Sequence, residues 1–171
     1  AGEPRLNTVI KCFYKDGNVH TIRSSGGERW WMKGSPVRQN SIYGGEIYDA
    51  REETERWASI DLLQNDKTYY DLGWSFALYK KIAKNIIICP QNIPANVIKE
   101  RISPVHEKCV SQNKTLYCFE KYITGWLSIK VKGARGASVV IRYSEILGED
   151  GLPDRRNLRS ADNTDIYILK G

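Results

Sequence analysis

The stretch Ala137–Ile146, "ASVVIRYSEI", decides the fold class, because apolar and polar side chains alternate along it. In an extended chain Val139, Ile141 and Tyr143 fall on one face, and the residues between them fall on the other. A period of two residues is the pattern of a half-buried β-strand. The stretch therefore predicts a strand in a sheet that has one covered face.

A β-hairpin is predicted near the start of the chain. Thr8–Tyr14, "TVIKCFY", and Val19–Ser25, "VHTIRSS", are β-rich runs on either side of Lys15–Asn18, "KDGN". Asp16-Gly17 supplies the positive φ that a tight hairpin turn requires.

Other short runs extend the β pattern, and no segment has a sustained helical period. These further runs are Lys114–Ile123, Gly125–Gly133 and Ile166–Lys170. Asp71–Ile82 fits either a strand or a short helix. Short strands separated by turn signals predict an all-β fold of antiparallel sandwich or jelly-roll units with little helix.

The best domain boundary lies near residues 89–104, within the proline-rich stretch Asn85–Lys108. Its three prolines, at positions 90, 94 and 104, predict a linker with one extended segment, because proline interrupts both helices and central strands. The predicted domains are residues 1–90 and 91–171.

The composition is that of a folded, mildly basic protein. Hydrophobic residues make up 41 % of the 171 residues, the net charge is +6 and the sequence pI is about 9.1. The basic residues are dispersed, so nucleic acid is not a predicted partner, although the pI and the aromatic content raise the idea. No apolar run approaches the ~18 residues of a membrane span, and Ala1–Pro4 lacks a leader pattern.

The four cysteines do not suggest a metal site. Cys12, Cys89, Cys109 and Cys118 show no C-x-x-C spacing, and the chain has only two histidines. Cys109 and Cys118 flank a predicted turn and could form a disulfide in a secreted protein. Free, buried thiols are the favoured interpretation.

The stretch Gly44–Arg51, "GGEIYDAR", holds the candidate site. Glu46 and Asp49 do not form a glycosidase acid pair, since alternation along a strand points them in opposite directions. Asp49 and Arg51 share a face and are predicted to pair, whereas Glu46 and Tyr48 lie together and could bind a sugar. In a carbohydrate-binding module, Glu46, Asp49 and Arg51 would bond the sugar hydroxyls. The alternative is purely structural: an ion pair beside half-buried tyrosines.

No other constellation indicates catalysis. The sequence contains neither a G-x-S-x-G motif nor a P-loop, and each histidine fits a surface or packing role. No catalytic residue is predicted in this chain.

Two long stretches resemble bacterial α-L-rhamnosidases. Ser41–Glu53, "SIYGGEIYDAREE", resembles the D-I-Y-x-G-E-x-Y-D-A-R hallmark at the end of their lectin-like N-terminal sandwich. Residues 125–171 are similar to their second sandwich, with the ordered motifs G-W-x-x-x-x-V-K-G, R-Y-x-E-x-L, N-L-R-S-A and T-D-x-Y-I-L-K-G. Residues 4–40 also resemble the last hairpin of the lectin-like sandwich, and together these three stretches cover most of the chain.

The resemblance implies a function. Residues 1–90 would be the C-terminal part of the lectin-like sandwich, and residues 91–171 a concanavalin-like sandwich truncated at Gly171. The parent enzyme would remove terminal L-rhamnose by inversion, using an (α/α) barrel that is absent here, so this chain alone is not an enzyme. The implied partners are that barrel and rhamnose-containing glycans, and a stand-alone carbohydrate-binding module is the alternative. The location stays open, with export slightly favoured.

The resemblance also raises the question of whether the chain binds calcium. Some lectin-like modules of the family bind rhamnose through a calcium ion held by an Asp-Asn pair. That pair is absent from this stretch, where the neighbouring residues are Ser41, Ile42 and Gly44. No cofactor is therefore predicted, and the metal-ligating residues are unknown.

Overall fold

The structure is a computed structural model, and it describes residues 5–24, 30–59, 66–81, 85–87, 89 and 91–171. The chain divides into two compact units, Ala1–Gly34 with Thr54–Pro90, and Ser35–Glu53 with Gln91–Gly171. Strands dominate both, which confirms the all-β class. The predicted domain boundary at residue 90 stays a prediction. No helix in the described ranges is long and apolar enough to cross a membrane.

The predicted hairpin forms in the first unit. Strands β1 (Val9–Phe13) and β2 (Val19–Arg23) pair in antiparallel register. Gly17 adopts φ 85°, and the Tyr14 amide donates to the Asn18 carbonyl at 2.9 Å to close the turn. The left-handed conformation explains why glycine stands at this position.

The rest of the first unit is built around an aromatic cluster. Strand β3 (Trp31–Met32) pairs with β6 (Ser75–Phe76), and helix α1 spans Asp66–Asp71. The Trp31 ring lies 4.8 Å from Tyr69, stacked, and 4.1 Å from Phe76. The open question about residues 71–82 is thereby answered, since a helix ends at residue 71 and a short strand follows.

The second unit contains a four-stranded sheet in the order β4-β5-β12-β9. Its strands are β4 (Val37–Ser41), β5 (Gly45–Asp49), β9 (Ser138–Arg142) and β12 (Thr164–Ile168). Two hairpin pairs accompany the sheet: β7 (His106–Ser111) with β8 (Lys114–Cys118), and β10 (Ile146–Leu147) with β11 (Pro153–Asp154).

The centre of this sheet departs from a purely antiparallel arrangement. Strands β5 and β12 run parallel, with Ile47 opposite Ile166, and they are far apart in sequence. Parallel neighbours need a long crossover connection rather than a tight turn, so local sequence patterns do not reveal them. All other pairings of this sheet are antiparallel.

The alternating stretch behaves as predicted. In β9, Val139 and Ile141 are half-buried, whereas Val140 on the other face is 47 % exposed. Tyr143, just after the strand, is also half-buried. This burial pattern confirms that β9, at the edge of the sheet, has one better-covered face.

The β7–β8 hairpin separates two cysteines. His106 lies opposite Cys118, and Cys109 lies opposite Thr115, so the two thiols are on opposite faces and out of register. All four cysteines are free, and each is half-buried or exposed. The prediction of free thiols is confirmed, but the prediction that they are buried is wrong. Cys12, Cys109 and Cys118 lie in two-stranded hairpins with little cover, and Cys89 lies outside any helix or strand.

Two sequence segments carry less strand than their patterns predict. The run at 114–123 forms a strand only as far as Cys118, and residues 126–134 belong to no helix or strand. Alternation alone does not make a strand, because each strand needs a neighbour to satisfy its backbone groups. Residues 91–105 also lack helix and strand, in agreement with the predicted linker, while residues 82–84, 88 and 90 lie outside the described ranges.

Candidate functional site

The double glycine at the beginning of β5 allows a close approach of two strands. Gly45 adopts φ 69°, and a Cβ at this position would lie only 2.0 Å from the carbonyl oxygen of Thr164. Real Cβ atoms are not found so close to backbone oxygen, so only glycine fits here. The approach brings the beginning of β12 beside the beginning of β5.

One face of the sheet, here called the tyrosine face, collects polar and aromatic side chains from neighbouring strands. It consists of Asn40, Glu46, Tyr48, Tyr143, Asp165 and Tyr167. The Tyr48 and Tyr167 rings lie opposite each other and stack, with centroids 5.4 Å apart and planes inclined by 5°. Glu46 accepts a hydrogen bond from the Asn40 amide through Oε2, at 2.7 Å.

Asp165 accepts hydrogen bonds from two other residues at the tyrosine face. Its Oδ1 accepts the backbone N–H of Glu46 at 2.9 Å, and its Oδ2 accepts the Tyr143 hydroxyl at 2.8 Å. Burial, followed by this bond to a carboxylate, raises the pKa of Tyr143 above its ordinary range. Asp165 thereby links residues that follow β9, begin β5 and lie within β12.

A second carboxylate, that of Glu53, accepts hydrogen bonds beside Tyr48 on the tyrosine face. Glu53 accepts the Tyr48 hydroxyl at 3.0 Å and the Lys170 ammonium at 2.8 Å. The bond from Lys170, and then that from Tyr48, lower the pKa of Glu53, while burial and Glu53 raise the pKa of Tyr48. The Tyr48 hydroxyl is therefore already engaged within the protein.

The predicted pair of Asp49 and Arg51 is present, but its geometry is that of a cap. The strand ends at Asp49, and a short 3-10 turn, Ala50–Glu52, follows. Asp49 is 6 % exposed and accepts from the Arg51 backbone N–H at 3.1 Å, from Nε at 2.8 Å and from Nη2 at 2.7 Å. The hydrogen bonds from the Arg51 guanidinium lower the pKa of Asp49 to about 2.

We expect Asp49→Asn to lower the melting temperature by several degrees near neutral pH, and the deficit to shrink in acid. The pKa of Asp49 is about 2 in the folded protein, against an ordinary 3.8. The ionised carboxylate therefore contributes fully to the free energy of unfolding when the pH is above the ordinary pKa. That contribution is lost as the pH falls through the folded value. Thermal unfolding of both proteins at about pH 7, 4 and 2.5 tests this.

The matched control for this variant is Glu149→Gln. It removes the same charge from an exposed side chain that makes no ion pair in the described part of the chain. We expect it to leave the melting temperature almost unchanged at each pH. A deficit of Asp49→Asn that stays constant into acid would contradict the role given to the ionised carboxylate.

The loop before β12 has its own charge network. Arg155 donates from Nη2 to Asp162 at 2.7 Å and to Thr164 at 3.2 Å, and the Asp162 backbone N–H donates to the Tyr43 carbonyl at 2.6 Å. The bond from Thr164, followed by that from Arg155, lowers the pKa of Asp162. These contacts fix the loop against the turn that precedes β5.

The structure divides the four sequence-predicted site residues into two groups. Glu46 and Tyr48 lie on the tyrosine face, as their alternation predicts, while Asp49 lies on the other face and holds Arg51. Sequence reasoning missed Asp165, Tyr167 and Lys170. Their position in the closing "TDIYILK" run was visible, but its pairing with β5 was not.

Calcium is not supported by the donor set. A calcium ion takes six to eight oxygen ligands. In the described ranges no group of three or more His, Cys, Asp or Glu side chains is placed to hold a metal. Both oxygens of Asp49 and of Asp165 already accept hydrogen bonds from within the protein.

The strand-rich units define an all-β protein. Comparison with known protein families identifies the family to which it belongs. Residues 1–99 match the α-L-rhamnosidase N-terminal domain, and residues 108–171 match the bacterial α-L-rhamnosidase concanavalin-like domain. The chain belongs to the α-L-rhamnosidase family, which confirms the resemblance drawn from its motifs.

Individual relatives agree. The α-L-rhamnosidase of Streptomyces avermitilis is 29 % identical over 172 residues, which cover 98 % of this chain and 15 % of that protein. An α-L-rhamnosidase of Formosa agariphila is 31 % identical over 151 residues, covering 88 % of this chain and 15 % of the relative. The chain thus spans about 15 % of the length of these relatives.

Solved structures show the same fold. The α-L-rhamnosidase from Dictyoglumus thermophilum superposes with a TM-score of 0.73 at 30 % identity, covering 94 % of this chain and 17 % of that one. The Streptomyces avermitilis enzyme, solved with L-rhamnose, gives a TM-score of 0.67 at 28 % identity, over 96 % of this chain and 15 % of that one.

Proposed function

We propose that this chain is an accessory β-sheet region of an α-L-rhamnosidase, an enzyme that hydrolyses terminal α-L-rhamnose from glycans. The carrying observation is that both matched domains follow one another along the chain, while the chain spans only about 15 % of its relatives. The catalytic acid and base would then belong to a barrel outside these residues. The region's role is to pack against that barrel and support it.

The internal contacts of Asp49 and of the tyrosine face support an accessory role. Asp49 is buried and engaged by Arg51, and Asp165 is occupied by a backbone N–H and a tyrosine hydroxyl. The hydrogen bonds from Arg51 lower the pKa of Asp49 to about 2, and an acid catalyst needs a proton to donate. These residues act in stability rather than in bond cleavage.

A chimera tests the proposal. The corresponding region of the Streptomyces avermitilis enzyme is replaced by this chain, and hydrolysis of a chromogenic α-L-rhamnoside is measured. We expect the chimera to be active and this chain alone to be inactive. Turnover by the isolated chain, or a folded chimera without activity, would count against the proposal.

A carbohydrate-binding module is the second candidate, and one specific feature favours it. The stacked rings of Tyr48 and Tyr167 lie beside Glu46, whose Oε1 has no hydrogen-bond partner in the part of the chain that the structure describes. An aromatic ring beside a carboxylate oxygen can contact a sugar through both stacking and hydrogen bonds. Asp49 and Arg51, the other predicted sugar ligands, remain proposals, and their mutual bonds favour a supporting role.

Calorimetric titration with L-rhamnose tests the sugar site. We expect weak, saturable heat with the isolated chain and its loss in Glu46→Gln, because that change removes the charge of the unpaired oxygen. Glu149→Gln, away from the tyrosine face, is the matched control and should bind as the parent does. Absence of heat at millimolar sugar would reject the carbohydrate-binding function and would leave the proposed accessory role unaffected.

A further inference from the structure

The turn between β7 and β8 carries the motif of an N-glycan acceptor. It reads Asn113-Lys114-Thr115, an asparagine followed two residues later by a hydroxyl side chain, with no proline between them. This N-x-S/T spacing is what glycosylation of asparagine requires. None of the other asparagines of the chain has serine or threonine at the second position after it, so the sequence offers this reaction a single acceptor.

The motif is displayed at the tip of a hairpin. Residues 112 and 113 form the turn between β7 and β8, and residues 111–115 are all exposed. The two strands pair with each other and join no other sheet in the described ranges. Glycosylated asparagines lie on surface loops, because the modifying enzyme and its bulky product both need space. The folded hairpin meets this requirement.

The conformation of the turn does not explain an asparagine at position 113. Asparagine is common in hairpin turns because it tolerates a positive φ, and because its side chain can bond to its neighbours. Neither residue 112 nor residue 113 has a positive φ, and the Asn113 side chain makes no hydrogen bond within the described ranges. In contrast, Asn18 donates to Asp16 at 2.8 Å and Asn40 donates to Glu46 at 2.7 Å. The amide nitrogen of Asn113 is therefore available to a second molecule.

Thr115 supplies the hydroxyl of the motif at an equally open position. It is the second residue of β8 and lies opposite Cys109. Its hydroxyl makes no hydrogen bond in the part of the chain that the structure describes. Both side chains of the motif are exposed at the same end of the hairpin, so an enzyme that reaches the Asn113 amide can also contact the Thr115 hydroxyl.

We propose that Asn113 is the acceptor of an N-linked glycan. The donor is a glycosyl pyrophosphate, carried either by a membrane lipid or by a nucleotide. The Nδ2 of Asn113 forms a bond to the anomeric carbon of the sugar, and the bond from that carbon to the pyrophosphate oxygen breaks. The amide loses one proton, and the leaving pyrophosphate takes the bonding electron pair, so the step needs no oxidant or reductant. The proposal is independent of the accessory role proposed above.

Secretion of the chain from a yeast tests the lipid-linked donor. We expect one glycan per chain, located by mass spectrometry on the peptide that contains residue 113 and removed by a peptide-N-glycosidase. Asn113→Gln and Thr115→Ala should abolish the modification, whereas Thr115→Ser should retain it, because serine keeps the hydroxyl. Asn157→Gln is the matched control, since Asn157 is exposed and stands outside the motif. The melting temperature of each variant is compared with that of the parent chain, so that a lost glycan is not mistaken for a lost fold.

The purified, folded chain tests the nucleotide-linked donor and the presentation of the hairpin together. The chain is incubated with a soluble N-glycosyltransferase and a nucleotide-activated hexose, and its intact mass is measured. We expect one hexose on the parent chain, on Thr115→Ser and on Asn157→Gln, and none on Asn113→Gln. Modification of residue 113 in either experiment supports the acceptor and identifies its donor. A folded chain that is modified in neither experiment, or a glycan that persists in Asn113→Gln, overturns the proposal.

Discussion

Gly45→Ala is expected to destabilise the second unit by about 3 kcal/mol or more. The added Cβ would lie 2.0 Å from the Thr164 carbonyl oxygen and 2.6 Å from its carbon. Because these are backbone atoms, the start of β12 must move away from β5, and the backbone must also hold φ 69° with a side chain. Hydrogen exchange at Ile166 and Ile168 measures the loss without assuming that the two units unfold together.

Gly151→Ala is the matched control. Gly151 belongs to the same unit and adopts φ 72°, yet a Cβ there meets only the Lys108 ammonium nitrogen, at 3.8 Å. It should show the conformational cost alone, about 1 kcal/mol. Equal effects of the two substitutions would show that left-handed geometry, rather than the approach of β12, explains the glycine at position 45.

The second large effect is expected for Asp165→Ala, which should lower the free energy of unfolding of the second unit by about 2 kcal/mol. Alanine leaves the Glu46 backbone N–H and the Tyr143 hydroxyl without their acceptors in a half-buried face. A donor that loses its partner inside the protein bears its desolvation penalty, which is larger than the net gain of an ordinary hydrogen bond. Hydrogen exchange at the β12 amides again measures the loss in the free energy of unfolding.

Two further variants separate the bonds of Asp165. Asp165→Asn keeps the size and one acceptor oxygen, so it should cost less than alanine. Tyr143→Phe removes the hydroxyl that Asp165 accepts. In a double-mutant cycle the costs of Asp165→Ala and Tyr143→Phe should be less than additive, because they remove the same bond. Full additivity would show that the two groups do not interact.

Local pattern was enough for those features that depend on neighbours in sequence. The Gly17 turn predicted the first hairpin, alternation predicted the faces of β9, and the two-residue spacing of Asp49 and Arg51 predicted their pair. The ordered motifs also predicted the family. In each of these cases the decisive residues lie within a short window of the chain.

Pairing between distant strands could not be predicted. The tyrosine face exists because β12 lies parallel to β5, and the contact between Glu46 and Asp165 spans 119 positions. Nothing in "EIYDA" or "TDIYI" specifies the other as its neighbour, since both fit any half-covered sheet. For the same reason alternation at 126–132 predicted a strand without showing that its neighbour is absent from the described residues.

The parallel contact between β5 and β12 also bears on biosynthesis. When a ribosome has made residues 45–49, the neighbour of that strand has not been translated, and an edge that carries Ile47 and Tyr48 stays unpaired for more than a hundred further codons. Contacts of such long sequence separation form late and expose the nascent chain to misassembly. The hairpin of β1 and β2 can close during elongation, whereas the four-stranded sheet has to wait until residues 164–168 have been translated.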